Sequence, residues 1–366
     1  MLLANMQGDD REPDRGMGRK RQALKFSLSA RLTPLISSGG SARTVSNQII
    51  LILPFLLILI AGFGSAGLAM ADGDSLPGTM QHTRFISYTP RGFSVVGGRA
   101  VAASESGIRA DLKLLRQFFD GLITYAATNG VEDVPAIAHE MNYRSVVMGI
   151  WDPASETEIQ NVIRAARRYP SLVSAVIVGN EGLYTKRYQP ADVLKTMQRL
   201  KKECPRLAAA TSEPFFLYFQ ADYADFFKVH DLLMPNVHPI FEPWFSPAEP
   251  IIGVNMVLNV VGLFRAAYRL PLLIKETGMP SGPAAGSGFT PEGQGLFWSE
   301  LFSRFPVSAE VGVACFEAFD APWKSAATRN AFPGDHAEEA FWGFFTAGGE
   351  AKQVIRALPE LDETRR

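Results

Sequence analysis

Eight apolar runs of strand length recur between residues 85 and 316, and a helical pattern separates each from the next. The runs are 85–88 (FISY), 121–125 (GLITY), 145–151 (SVVMGIW), 172–178 (LVSAVIV), 207–211 (LAAAT), 232–237 (LLMPNV), 272–274 (LLI) and 310–316 (EVGVACF). Such runs, apolar without alternation, belong to strands buried on both faces, which is the condition of a parallel sheet covered by crossover helices. The intervening segments 106–119, 134–142, 154–169, 190–204, 215–229, 254–268 and 291–305 read as helices, and 335–345 follows the last run as another. Ile159, Val162, Ile163 and Ala166 trace one helical face. Asp152-Pro153 and Thr290-Pro291-Glu292 place a capping residue before a proline at a first turn. Eight repeats predict an α/β fold, a (β/α)8 TIM barrel. An open doubly wound sheet is the second choice. It requires a glycine-rich phosphate loop after the first strand, and FISYTPRGFS has none.

The barrel does not use the whole chain. Of 366 residues, 1–48 hold eight basic and four acidic side chains, and every acid precedes Arg15. Residues 44–71 carry no charge, and 49–61 read IILILPFLLILIA. Two readings stand for 49–71. A basic region, a 13-residue apolar core and the small residues Ala69-Met70-Ala71 fit a signal peptide. The Gly/Ala-rich continuation brings the segment near the roughly 20 residues of a transmembrane anchor. In both, the basic side faces the cytoplasm and the bulk of the chain is extracytoplasmic, periplasmic or secreted. Met17 is an alternative start. The expected organisation is a leader at 1–48 without periodicity, the membrane-targeting segment at 49–71, a linker at 72–82, the barrel at 83–357 and a tail at 358–366. The overall charge of −1 is a cancellation, because the residues after 71 carry a net −5. That excludes a broadly basic nucleic-acid binder. Two cysteines exclude a disulfide framework.

In a TIM barrel, chemistry sits where strands run into loops. Four of the eight strand ends carry a glutamate: Glu181, Glu213, Glu276 and Glu317. An unpaired carboxylate at the tip of a buried strand is costly. Glu181 and Glu276, at the fourth and seventh ends, face one another across a barrel mouth. Two opposed carboxylates suit glycosidic cleavage, one protonating the leaving oxygen and the other attacking or activating water. Alternation points Lys275 away from Glu276.

The motifs VGNE (178–181), NVHP (236–239), KETGMPSG (275–282) and FEAFDAPWK (316–324), with FISYTP (85–90) at the first strand, resemble glycoside hydrolase family 17, in its bacterial branch. The likeness spans roughly 83–357. It implies a retaining β-1,3-glucanase or β-1,3-glucan transglycosylase that works by double displacement. Glu181 then matches the proton donor, Glu276 the nucleophile, Asn180 the partner of the sugar 2-hydroxyl and Lys324 a basic residue of the cleft. Three positions depart from the pattern: Met279 stands for a Trp, Ala321 for a Glu and Phe341 for a His. Glu317 and Asp320 are the candidates to replace the carboxylate absent at 321.

Aromatic faces stack on pyranose rings. Tyr88, Tyr125, Trp244 and Trp323 are expected to touch sugar, and Trp151 and Phe241 to pack in the core. His238 is expected in the cleft, not as acid or base. His82, His139, His230 and His336 are read as surface residues, and Cys204 and Cys315 as free and buried. No metal or cofactor is implied. The expected partners are a β-glucan and, if 49–71 stays uncleaved, a membrane, with no nucleic acid and a monomeric state. A non-catalytic envelope glucan-binding protein on the same fold is the alternative from another class.

Overall fold

The computed structural model describes residues 76–331 and 336–360. The leader 1–48 with Met17, the segment 49–71, the start of the 72–82 linker and the last six residues of the tail lie outside the described residues.

Seven strands form one parallel sheet: β1 (Phe85–Ser87), β2 (Gly121–Ile123), β3 (Ser145–Ile150), β4 (Val173–Asn180), β5 (Ala208–Ser212), β6 (Leu272–Ile274) and β7 (Val311–Cys315). Their order across the sheet is β5-β4-β3-β2-β1-β7-β6. The two ends of that order are joined by residues 232–237, the sixth predicted run. On one side the Asn236 N–H donates to Glu213 O (3.0 Å). On the other, the Leu273 N–H donates to Leu233 O (2.9 Å) and the Lys275 N–H to Pro235 O (3.0 Å). Pro235 has no N–H to give, so this stave makes isolated bridges rather than a regular ladder. The described residues have the α/β architecture of a TIM-like barrel, its wall made of these seven strands and one irregular closing segment, with Ser94–Val96 and Arg99–Val101 pairing apart as an antiparallel hairpin.

Alternation sorts the side chains into two layers. Along β4, Ala175 and Ile177 point into the barrel, whereas Val176 and Val178 face the surrounding helices. The interior mixes bulky Phe85, Ile123, Met234 and Leu273 with the small Ala175, Ala210 and Ala314, as a narrow bore requires. The short helix Leu76–Met80 adds Leu76 and Met80 to that interior cluster. Each large aliphatic side chain buried this way contributes about 1.5–3 kcal/mol. Outside, the helix Pro250–Ala267 lays Val254, Val257, Val261 and Phe264 on the barrel. By length and composition alone it is also apolar enough to cross a bilayer.

Several helices differ from expectation. Thr290 caps Pro291–Arg304, its Oγ1 accepting from the Gly293 N–H at 3.0 Å. The cap of Glu156–Arg168 is Ser155 rather than Asp152, which instead accepts from the Ala154 N–H in a local turn (2.9 Å). Residues 215–229 break into Phe215–Phe219, Ala221–Tyr223 and Ala224–Lys228, because Gln220 is extended and the Phe215 N–H is taken by Asn236 O. The predicted helix 335–345 reduces to a single turn, Ala337–Ala340. Its C-terminal half instead gives backbone bonds to the loop after β7, with the Phe345 N–H donating to Ala318 O (2.9 Å). A helix not foreseen, Pro322–Ala331, follows β7.

His82 and His139 are exposed and His336 is half-buried, but His230 is not a surface residue. It is buried between the rings of Phe226 and Phe227, at 4.7 and 5.6 Å between ring centres, and neither ring nitrogen meets a partner. Burial pulls its pKa down to about 4. The unfolded chain therefore binds a proton between about pH 6.5 and 4 that the folded chain refuses. Stability is full above pH 6.5 and falls as the pH drops toward 4, by roughly 3 kcal/mol at most. In His230→Leu, the difference in denaturant midpoint between pH 7.5 and pH 4.5 is expected to narrow. An unchanged difference would refute this account. Of the cysteines, both free, Cys315 is buried and Cys204 is half-buried, contrary to the reading of both as buried.

Candidate active site

The fourth strand end turns two consecutive side chains into the barrel mouth. Alternation would send one of them outward, but the pairing of β4 with β5 shifts register between Ile177 and Asn180. Gly179 is left-handed (φ +82°), and a Cβ there would sit 2.0 Å from the Tyr188 hydroxyl. Glu181 is also left-handed (φ +52°), and its N–H donates to Ser212 O (2.7 Å). At the opposite wall, β6 ends at Ile274 and Glu276 bridges to Asn236 of the closing segment. Past the strand the alternation lapses, and Lys275 turns to the same side as Glu276. The expectation that Lys275 points away is overturned: its Nζ, fully buried, donates to Glu276 Oε1 and to Asn180 Oδ1 (2.6 Å).

These contacts form one chain of hydrogen bonds across the mouth. Asn236 Nδ2 donates to Glu181 Oε1 (2.9 Å) and lies 3.3 Å from Asn180 Oδ1. Asn180 Oδ1 receives Lys275, and Lys275 reaches Glu276. His238 Nε2 lies 3.0 Å from Glu276 Oε2. Burial opposes the charge on Glu276, but the Lys275 ammonium and the His238 contact outweigh it and hold the carboxyl well below the usual range. For Glu181, burial and the Glu276 charge each oppose ionisation, and Asn236 favours it.

The other two strand-end glutamates have different surroundings. Glu213 accepts from the N–H groups of Leu183 (2.9 Å) and Tyr184 (3.2 Å), so it fixes the loop that follows Glu181. Burial pushes it up to about 7. Glu317 is gripped through both oxygens by Lys324 Nζ (2.5 and 2.6 Å), and burial raises it against that pairing.

A pocket of about 410 Å³ opens on this network, lined by Thr89, Tyr125, Asn180, His238, Phe241, Glu276, Phe316, Lys324, Glu339 and Trp342. A second cavity, of about 310 Å³, shares Thr89 and Tyr125 with it and adds Tyr88, Pro90, Phe93, Ala126 and Val131. Tyr125 stands between the two. Its place is set by Gly149, where a Cβ would lie 2.3 Å from the Tyr125 backbone. Burial, with the Glu276 and Glu317 carboxylates, lifts the Tyr125 phenol well above its ordinary pKa, so it stays protonated.

Of the residues singled out from sequence, Asn180, Tyr125, His238, Glu276 and Lys324 line the first pocket. Glu181 lines neither cavity and is tied to the first by hydrogen bonds through Asn236 and Asn180, and Glu317 is buried and paired with Lys324. Tyr88 presents its ring to the second cavity and turns its hydroxyl away to Asp111 (3.1 Å). Trp244 is half exposed and lines neither cavity. Trp323 packs edge-on against Phe93, 5.6 Å between ring centres. Phe241, read as a core residue, is 42% exposed and forms pocket wall. Trp151 is buried as expected, under the Arg187 guanidinium at 3.9 Å.

Sequence reasoning missed Asn236, Lys275, Glu339 and Trp342 as site residues. Asn236 lay inside a quoted motif, so its signal was present. Glu339 had none, because 335–345 read as an ordinary helix. Neither candidate for the absent carboxylate at 321 is free, since Glu317 holds Lys324 and Asp320 holds Lys352 (2.8 Å) and the Gly343 N–H (2.9 Å). The Ala321 N–H instead donates to Ala340 O (3.1 Å), which sets Glu339 beside the gap. Glu339 accepts from the Trp342 indole N–H (3.2 Å), and burial pushes it up to about 7.

Residues 86–343 match the BtgE/BtgC glycoside hydrolase domain. The chain belongs to this family. It is also similar to a glucan 1,3-beta-glucosidase of Arthroderma benhamiae, 26% identical over an alignment of 263 residues, which covers 68% of this chain and 83% of that protein. Among solved structures, an endo-laminarinase from Formosa shares 20% identity, with a TM-score of 0.58 over 77% of this chain and 88% of that one. A glycoside hydrolase family 17 beta-1,3-glucanosyltransferase from Rhizomucor miehei shares 18%, with a TM-score of 0.56 over 76% and 98%. At these identities the structural likeness establishes the fold, a TIM-like barrel.

Proposed function

We propose that this BtgE/BtgC-type domain cleaves β-1,3-glucan with retention of anomeric configuration. The observation that carries the reading is the pair of buried carboxylates, Glu181 and Glu276, joined through Asn236, Asn180 and Lys275 beside a pocket that Asn180 and Glu276 line. Glu276, ionised and held through both oxygens, attacks the anomeric carbon. Glu181 donates its proton to the leaving oxygen, then takes a proton from the incoming acceptor. Lys324, Glu339 and His238 offer polar partners to sugar hydroxyls, and Phe241 and Trp342 offer ring faces. The glucan-named relatives support the choice of substrate.

Transfer to a sugar acceptor uses the same residues. The second cavity favours it, because its lining continues from Tyr125 through Tyr88 and Phe93, ring faces for an acceptor sugar to stack on. The domain is to be incubated with linear β-1,3-gluco-oligosaccharides, the products sized, and the anomeric proton followed by NMR. Shorter β-configured products mean hydrolysis, and longer ones mean transfer. An initial α product removes the retaining mechanism, and binding without turnover identifies a glucan-binding protein. The 49–71 segment is proposed to deliver the domain across the cytoplasmic membrane. A periplasm-dependent reporter fused after residue 75 should be active, and it should be inactive when 49–71 are deleted.

Glu339→Gln keeps the shape of the side chain and, assayed above about pH 7, loses its charge. Hydrogen bonds to charged groups contribute about 1.5–3 kcal/mol, so KM for the oligosaccharide should rise by roughly tenfold or more with kcat little altered. An unchanged KM would show that Glu339 serves Trp342 and not the substrate.

A further inference from the structure

Lys275 is a cation with no exposed surface, placed between the two halves of the site. Its Nζ donates to Glu276 Oε1 and to Asn180 Oδ1 at 2.6 Å, and it lies 4.4 Å from the centre of the Tyr125 ring. An ammonium has three protons to give, and these three directions use them. A buried lysine is tolerated where a carboxylate stays beside it. The double displacement moves that carboxylate. On the glycosidase reading, catalysis starts with Glu276 negative and the proton on Glu181. When Glu276 Oε bonds to the anomeric carbon, the bond from that carbon to the leaving oxygen breaks, and this oxygen takes the Glu181 proton. The pair then holds the same single negative charge, now on Glu181.

We propose that Lys275 is the positioning cation of the site: it fixes the Asn180 amide and stays beside the one negative charge as that charge passes from Glu276 to Glu181 and back. The geometry suits both parts. Glu276 lies against the ammonium directly, and Glu181 lies two amides away, through Asn180 and Asn236. Asn180 Oδ1 is occupied by Lys275 and Asn236, so its Nδ2 is the group left to meet the substrate, as a donor to the 2-hydroxyl oxygen. The ionisable and charged groups facing Lys275 are Glu276, Glu181 and Lys324, with the Tyr125 ring over it and His238 on the far oxygen of Glu276.

This inference rests on the glycosidase reading, and the two fail differently. A wild-type domain that leaves β-1,3-glucan oligosaccharides intact ends the reading. An active wild type permits the test, which compares Lys275→Met and Lys275→Arg over the full pH–rate profile, with circular dichroism and thermal unfolding as a check on folding. Loss of the ammonium should raise the acid limb of kcat/KM, set by the nucleophile, by roughly 1–3 units. It should also lower kcat about 100-fold or more, and Lys275→Arg should restore most of the acid limb. A merely structural lysine would lower activity equally at every pH. A folded Lys275→Met with the wild-type limb overturns the proposal. If Lys275→Met does not fold, Lys275→Gln takes its place. Failure of both to fold also overturns the proposal, in favour of a purely structural role.

Discussion

Glu276→Gln is expected to lower kcat/KM on linear β-1,3-glucan on the order of 10⁴-fold or more, the scale on which loss of a covalent nucleophile is felt. Glutamine is the better first variant than alanine. Its amide still meets Lys275 and His238, whereas Glu276→Ala strips Lys275 of the carboxylate it touches. Breaking a buried pair in that way costs about 3–5 kcal/mol of stability. A folded Glu276→Gln domain that turns over normally rules out the mechanism. Glu276→Ala serves a second purpose if it folds, because the space it leaves admits azide. With an activated aryl β-glucoside, azide attack from the vacated side gives the α-azide.

Glu181→Ala should fail differently. A general acid contributes about 10²–10⁴-fold, and the loss concentrates in the step that expels a poor leaving group. Turnover of glucan should fall by that factor, while an aryl β-glucoside with an acidic phenol still forms the glycosyl-enzyme. That intermediate then waits for a base it lacks. Azide needs no base, so it should restore turnover and give the β-azide. The two azide products have opposite anomeric configurations, and together they fix which glutamate does which task. If both variants gave the same product, the roles assigned to Glu181 and Glu276 would be wrong.

The barrel was legible because its strands are buried on both faces and its helices are amphipathic, patterns that survive without tertiary information. The irregular stave at 232–237 was legible as a strand but not as an interrupted one, although Pro235 carried the warning. The strand ends marked Glu181, Glu276 and Asn180 because a charge at the tip of an apolar run stands out. Lys275 was missed for a physical reason: alternation governs only residues within a strand, and β6 had already ended. Glu339 comes from a loop whose backbone is claimed by residues after β7, a long-range pairing with no local signature. Phe241 was misassigned because an aromatic residue beside a proline reads the same in a core and on a cleft wall.

The closing segment also has a meaning for regulation of the fold by its own chemistry. Asn236 and His238 lie on it, or just beyond it, and reach Glu181 and Glu276 respectively. The piece of chain with the poorest ladder is therefore clasped from within by two buried glutamates. The side-chain hydrogen bonds that join the barrel at this seam are the same ones that set the Glu181 and Glu276 carboxyls in place.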